Sequence, residues 1–206
     1  MRAHLVRLAS FAAVASLGLA APSMAAPGPV TVDPAKVPAG SYVLDKTHAS
    51  LTAKVAHMGF SHYTLRFNKL DAAFTYDPAA VASTKLTVTV DPASIDTGSE
   101  PFNKELQGPS WFNVAAHPAI TFTSTAVTGG ADGKGTVVGD LNFLGVTKPV
   151  TMDVVFNGYG PGFPVGSRAG FSATAHIKRS EFGLKTYVPL VGDDVDLLIE
   201  VEFAKK

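Results

Sequence analysis

The chain has 206 residues, 46% of them hydrophobic, with 17 basic and 17 acidic side chains and no cysteine. A charge balance without basic excess leaves no electrostatic footprint for nucleic acid, and the lack of cysteine excludes disulfides and thiolate chemistry. Stability must come from an apolar core.

The first 25 residues read as a secretory signal. Arg2, His4 and Arg7 form a basic lead, Leu8 to Ala20 is an apolar run, and Ser23-Met24-Ala25 offers the small residues that a signal peptidase reads. The run is shorter than the roughly 20 apolar residues of a membrane-spanning helix, and no cysteine follows it to carry a lipid anchor. The expected destination is the periplasm, with cleavage after Ala25. Residues 26–40 are rich in proline and read as an extended leader without packed structure. The folded domain is expected over 41–206. Loss of Arg2 and Arg7 leaves 15 basic against 17 acidic residues.

From Tyr42 onward the hydrophobic period is two. Leu51, Ala53 and Val55 alternate with Ser50, Thr52 and Lys54, and His57 continues the apolar row before Met58-Gly59-Phe60. The same alternation recurs at Leu86-Val88-Val90, Ile120-Phe122-Ser124, Val150-Met152-Val154-Phe156, Phe171-Ala173-Ala175-Ile177 and Val195-Leu197-Ile199-Val201-Phe203. Turn clusters separate these runs, among them Asp77-Pro78, Asp91-Pro92, Gly129-Gly130-Ala131-Asp132-Gly133 and Gly158-Tyr159-Gly160-Pro161-Gly162. About eight strands joined by short links predict antiparallel pairing, and closure into a barrel removes the exposed edges. Only 99–116 breaks the rhythm. Ser99 is a candidate N-cap and Phe102 and Leu106 lie four apart, so a short helix is expected there, ending near Gly108-Pro109. The predicted fold is all-β: a single antiparallel eight-stranded barrel with one short helix.

An eight-stranded barrel is wide enough to be filled by its own side chains or to hold one slender ligand. Ala53, Ala173 and Ala175 put small residues on inward rows that also carry bulky ones. Two readings follow: an apolar channel, or a core in which facing phenylalanines close the gaps.

Seven short motifs resemble, in order, those of the YceI-like family. They are Leu44-Asp45 with His48 and Ser50, then His57-Met58-Gly59-Phe60-Ser61, then Ser94-Ile95-Asp96-Thr97-Gly98. Trp111-Phe112-Asn113-Val114 with Pro118–Thr125 follows, then Gly139-Asp140-Leu141 with Gly145–Val150, then Arg179–Leu184, then Val191–Val195. The resemblance spans 42–203. It implies a lipocalin-like periplasmic barrel that holds a long isoprenoid lipid of the quinone or polyprenyl type and has no catalytic residues. Two positions depart from the family pattern. Ala53 stands where a larger aromatic is usual, which widens the expected channel, and Phe102–Leu106 lacks a histidine often found before the leucine.

Strand parity and these motifs together nominate a channel wall of Ala53, Val55, Phe122, Leu141, Phe143, Phe171 and Ala173, and a mouth of His57, Phe60, Arg179 and Phe182. For Arg179 two roles are open: a cation for a pyrophosphate or quinone oxygen, or an ion pair with Asp45 or Glu181. The remaining histidines lack zinc-motif spacing, although His57 and His62 could meet at one rim. No Gly-x-Ser-x-Gly elbow is present, so no enzyme and no cofactor is expected. The expected partners are an isoprenoid lipid, transiently a membrane surface, and a second copy of the chain as a homodimer. The alternatives are a stress-related or partner-recognition protein with a filled barrel and, remotely, a small hydrolase. N-terminal sequencing of the secreted protein should begin at Ala26-Pro27-Gly28; a retained apolar segment would refute the assigned cleavage.

Overall fold

The computed structural model describes residues 28–162 and 166–206; the expected signal segment lies outside them. The strands are β1 (Gly40–His57), β2 (Ser61–Phe67), β3 (Leu70–Tyr76), β4 (Lys85–Val90), β5 (Ile95–Asp96), β6 (Ile120–Gly129), β7 (Lys134–Phe143), β8 (Val146–Pro161), β9 (Ser167–Lys178) and β10 (Val191–Lys205). The helix α1 is Glu100–Leu106, within the segment expected to hold it.

All strand pairs are antiparallel, and β10 pairs back onto β1, which closes the sheet. Eight staves result, in the order β1, β3, β4, β6, β7, β8, β9, β10. The two further strands follow from a break in one stave. β2 and β3 run end to end beside β1: β2 pairs with Leu51–His57 and β3 with Gly40–Val43. At the break the sheet splits, and β5 adds to β2 while β4 adds to β3.

Two aromatic cores occupy the two halves of the barrel. Toward the start of β1, Tyr42, Leu44, Phe74, Phe156 and Phe203 pack together, with the Tyr42 and Phe74 rings stacked at 4.8 Å. At the opposite end, Phe67, Leu106, Phe112, Phe143 and Phe182 pack beneath α1. Gly139 shows how tight the wall is between them: a Cβ there would collide with the Phe122 ring. Ser99 occupies the helix N-cap position, but its side chain makes no cap bond. The buried Asn103 does the local work, its side-chain oxygen accepting from the Thr97 amide at 2.8 Å and hydroxyl at 2.7 Å.

Residues 28–39 correct the expectation of an unpacked leader. They form a strap across the barrel end at the start of β1. Thr31 and Tyr159 exchange two backbone bonds of 2.8 Å. The Asp33 carboxylate caps a short 3-10 turn, Pro34–Lys36, by accepting from the Ala35 amide. The Tyr76 and Tyr42 hydroxyls donate to the Pro34 and Pro38 carbonyls at 3.1 and 2.7 Å. Val37 is 4% exposed. Proline suits such a strap because it presets the backbone and presents acceptors without needing donors.

β1 carries one large irregularity. Leu44 pairs with Phe203 and Ala49 with Val201, so Asp45–His48 stand against Glu202 alone. The Asp45 carboxylate organises the bulge. It accepts from the Thr47 hydroxyl at 2.6 Å and amide at 3.0 Å, contacts His48 Nδ1 at 3.1 Å, and holds Arg168 of β9 at 3.2 Å. The Thr47 hydroxyl is the largest of the influences that hold the carboxyl at about 2 instead of 3.8. A carboxyl depressed on folding stabilises above its unfolded pKa, and that stabilisation is lost as pH falls through the folded value. Asp45→Asn should therefore lower stability near neutral pH by about 2 kcal/mol. Parent and variant should converge below 3.8 and through about 2, as measured by denaturant unfolding at several pH values.

Candidate functional site

The inward rows of the strands enclose two cavities, one above the other. The larger, about 400 Å³, lies under the strap. Asp33, Pro34, Ala35 and Val37 roof it, and Phe74, Val88, Phe156, Phe171, Ala173 and Phe203 wall it. The smaller, about 200 Å³, lies toward α1 and is bounded by Leu51, Ala53, Val55, Phe122, Leu141 and Phe143, with Leu106, Trp111 and Phe112 closing from the helix side. Val88 and Met152 line both and form the waist between them. The surface lining the smaller cavity is wholly apolar, and that of the larger is mostly apolar, with Asp33, Thr84 and Lys134 among its polar residues.

The expected wall residues all line these spaces, but in two groups. Phe171 and Ala173 belong to the strap-side cavity; Ala53, Val55, Phe122, Leu141 and Phe143 belong to the helix-side cavity. Ala53 pairs with Leu65 on one side and Leu197 on the other, so the space above its methyl is bounded by larger neighbours and left unfilled.

The expected mouth residues are dispersed. His57 and Phe60 line neither cavity; they sit on the β1–β2 hairpin, where Phe60 is 84% exposed. Phe182 is buried, because the 3-10 turn Arg179–Phe182 folds inward and sets its ring 5.7 Å from Phe143. The pairing of His57 with Ser61 and of His62 with Ala56 sends the two histidines to opposite faces, so they do not meet.

Arg179 is buried and lines the helix-side cavity, yet it pairs with neither expected partner. Its Nε donates to the Gly192 carbonyl at 2.7 Å, Nη1 to Leu184 at 3.1 Å and Nη2 to Val191 at 2.9 Å. Burial pushes its pKa down, partly offset by the charge of Asp193. Asp193 itself is held by the Ser180 hydroxyl and amide. Asp45, one of the two expected partners, is instead engaged by Arg168, a residue that sequence reasoning passed over. Its only sequence signal is odd spacing from Phe171, which hides it among outward positions.

The remaining polar constellations lie outside the cavities. Asp45, His48 and Glu202 bring ligand-type atoms within 4.8 Å, but this is the bulge knot in which Arg168 already holds Asp45. His176 bridges Asp196 and Asp194 on the outer wall at 3.0 Å each, and those hydrogen bonds raise its pKa, the Asp196 bond most. Among the residues bounding the helix-side cavity, only Thr121, Trp111 and Arg179 carry a polar side-chain group.

Residues 42–203 match the YceI-like domain. A protein named Protein YceI from Escherichia coli and a UPF0312 protein from Yersinia pestis are each 37% identical over 166 residues, covering 80% of this chain and 86% of theirs. Among solved structures, Burkholderia cenocepacia BcnA aligns with a TM-score of 0.69 at 27% identity, over 77% of this chain and 98% of its own. The Campylobacter jejuni YCEI protein aligns with a TM-score of 0.65 at 31% identity, over 74% and 91%. A polyisoprenoid binding domain from Saccharophagus degradans shares the fold, with a TM-score of 0.59 at 16% identity over 80% and 98%. An identity of 37% across most of both chains, together with the domain match over the whole barrel, shows that this protein belongs to the YceI-like family.

Proposed function

We propose that this protein carries or stores a long isoprenoid lipid, of the polyprenyl or quinone type, inside its barrel in the periplasm. The observation that carries the reading is the pair of stacked apolar cavities. Occupying both requires a slender, flexible chain that threads between Val88 and Met152, whereas a compact ligand would use only one. The membership in the family points to the same ligand class.

Energetics favour an occupant. A void too apolar to hydrogen-bond water stays dry, and at about 24 cal/mol per Å³ an empty space the size of the smaller, wholly apolar cavity would cost on the order of 5 kcal/mol. That is a large fraction of the net stability of a domain. Filling it with CH₂ groups returns about 0.8 kcal/mol each relative to water. A bilayer offers the same tail nearly the same environment, so affinity against the membrane stays modest and the lipid can exchange. Nothing in the binding reading requires a nucleophile or a general base.

Native mass spectrometry of protein purified without detergent should show a bound apolar mass. Its absence, with the interior found filled by side chains, would overturn the carrier reading. Ala53→Phe should reduce co-purified lipid while changing the thermal stability of the lipid-free protein little. A loss of about 1–3 kcal/mol would mean that the interior was already packed.

A further inference from the structure

We propose that the helix-side end of the barrel is a membrane-docking lip, formed by the β1–β2 hairpin and the 184–191 loop, that seats on an anionic phospholipid bilayer. The proposal rests on the lipid-carrier reading for its purpose. Among the described residues nine large hydrophobic side chains are exposed, and five of them lie on these two loops: Met58, Phe60, Tyr187, Val188 and Leu190. Such clustering marks an interaction surface, in contrast to isolated exposed residues.

The two loops form one structure. The Met58 amide donates to the Leu190 carbonyl at 2.7 Å, and His57 pairs with Val191. Met58 and Tyr187 are both held at positive φ, 52° and 58°, a region that side-chain-bearing residues adopt only when their surroundings impose it. Arg179 fixes the two ends of the 184–191 loop. Its guanidinium grips the carbonyls of Leu184 and Val191, the two ends of the loop, and of Gly192 beyond it. A buried charge is here spent on backbone acceptors that keep an apolar loop projecting into solvent. Trp111 steadies it from the other side, its ring 5.8 Å from that of Tyr187.

The occupant follows from charge and from what lies behind the lip. Neither 57–62 nor 184–191 contains an acidic residue, while Lys185 contributes a cation. Apolar and aromatic side chains beside a lysine suit the headgroup boundary of an anionic bilayer. Immediately inside the lip, Leu184, Val191 and Trp111 line the wholly apolar cavity. Docking here would bring that cavity to the acyl chains, and a tail could pass between them without crossing bulk water. Arg179 is on this view a positioning residue.

The test is flotation of the mature protein with vesicles of phosphatidylglycerol and phosphatidylcholine. The parent should float; Phe60→Ser with Leu190→Ser should partition about tenfold or more weakly; and Val30→Ser with Val32→Ser, on exposed strap positions, should behave as the parent. Because Phe60 and Leu190 are mostly exposed, both variants should melt as the parent does. A mutation-free measurement uses the single tryptophan, Trp111. Acyl-brominated phosphatidylglycerol in the vesicles should quench it, and sedimenting the vesicles away should restore it. A parent that never floats, lip variants that float equally well, or quenching that is absent or survives vesicle removal would each overturn the proposal. So would lip substitutions that only convert a dimer into a monomer. A protein that retains a bound apolar mass but never floats refutes the lip and leaves the carrier reading intact.

Discussion

The pairing of β1 with β10 is the constraint on which the rest depends. Both strands are long, and their register runs from Tyr42 with Lys205 at one end to His57 with Val191 at the other. Without that seam the sheet would have two open edges and its inward rows would face water. With it, every inward row faces another inward row across a fixed distance, and the choice of residues decides whether that distance is filled. Phe74, Phe156 and Phe203 bound the strap-side space and Phe122 and Phe143 the helix-side one, while Ala53, Ala173 and Ala175 leave room beside them. The cavities are thus a consequence of closure acting on rows of unequal bulk.

Closure also makes the two ends chemically different. At one end the strap lies across the opening, tied by tyrosine hydroxyls and a two-bond bridge to Tyr159. At the other, α1 and the segment after it supply Leu106, Trp111 and Phe112, while the loop before β10 turns hydrophobic side chains outward. Two arginines secure these arrangements by opposite means. Arg168 meets a carboxylate, Asp45, and locks the β1 bulge to β9. Arg179 meets only carbonyl oxygens and clamps a loop. A guanidinium has five donors in a rigid plane, which lets it join backbone segments that no regular ladder connects.

Much of the barrel was legible in the sequence because antiparallel strands with one dry face impose a period of two, and a shift of one residue would turn the whole row outward. The alternation at Phe171–Ile177 and Val195–Phe203 therefore identified inward residues correctly, and the lapse of alternation over 99–116 located the helix. The break between β2 and β3 left no such mark, since both pieces are short and the chain direction does not change. The strap was also misjudged. Proline-rich composition describes a segment's own stiffness and says nothing of the tyrosines that receive it.

What the sequence by itself determined is the parity of six of the strands, the antiparallel class, the place of the helix and the family. Each depends on local spacing or on short ordered motifs. What only the tertiary structure decided is how the rows meet: two cavities with a waist, Phe182 turned into the core, His57 and His62 on opposite faces, and the partners of the two arginines. Those outcomes depend on register and on the direction of a 3-10 turn. Both are set by contacts between residues far apart in the chain, and a one-dimensional pattern does not carry such distances.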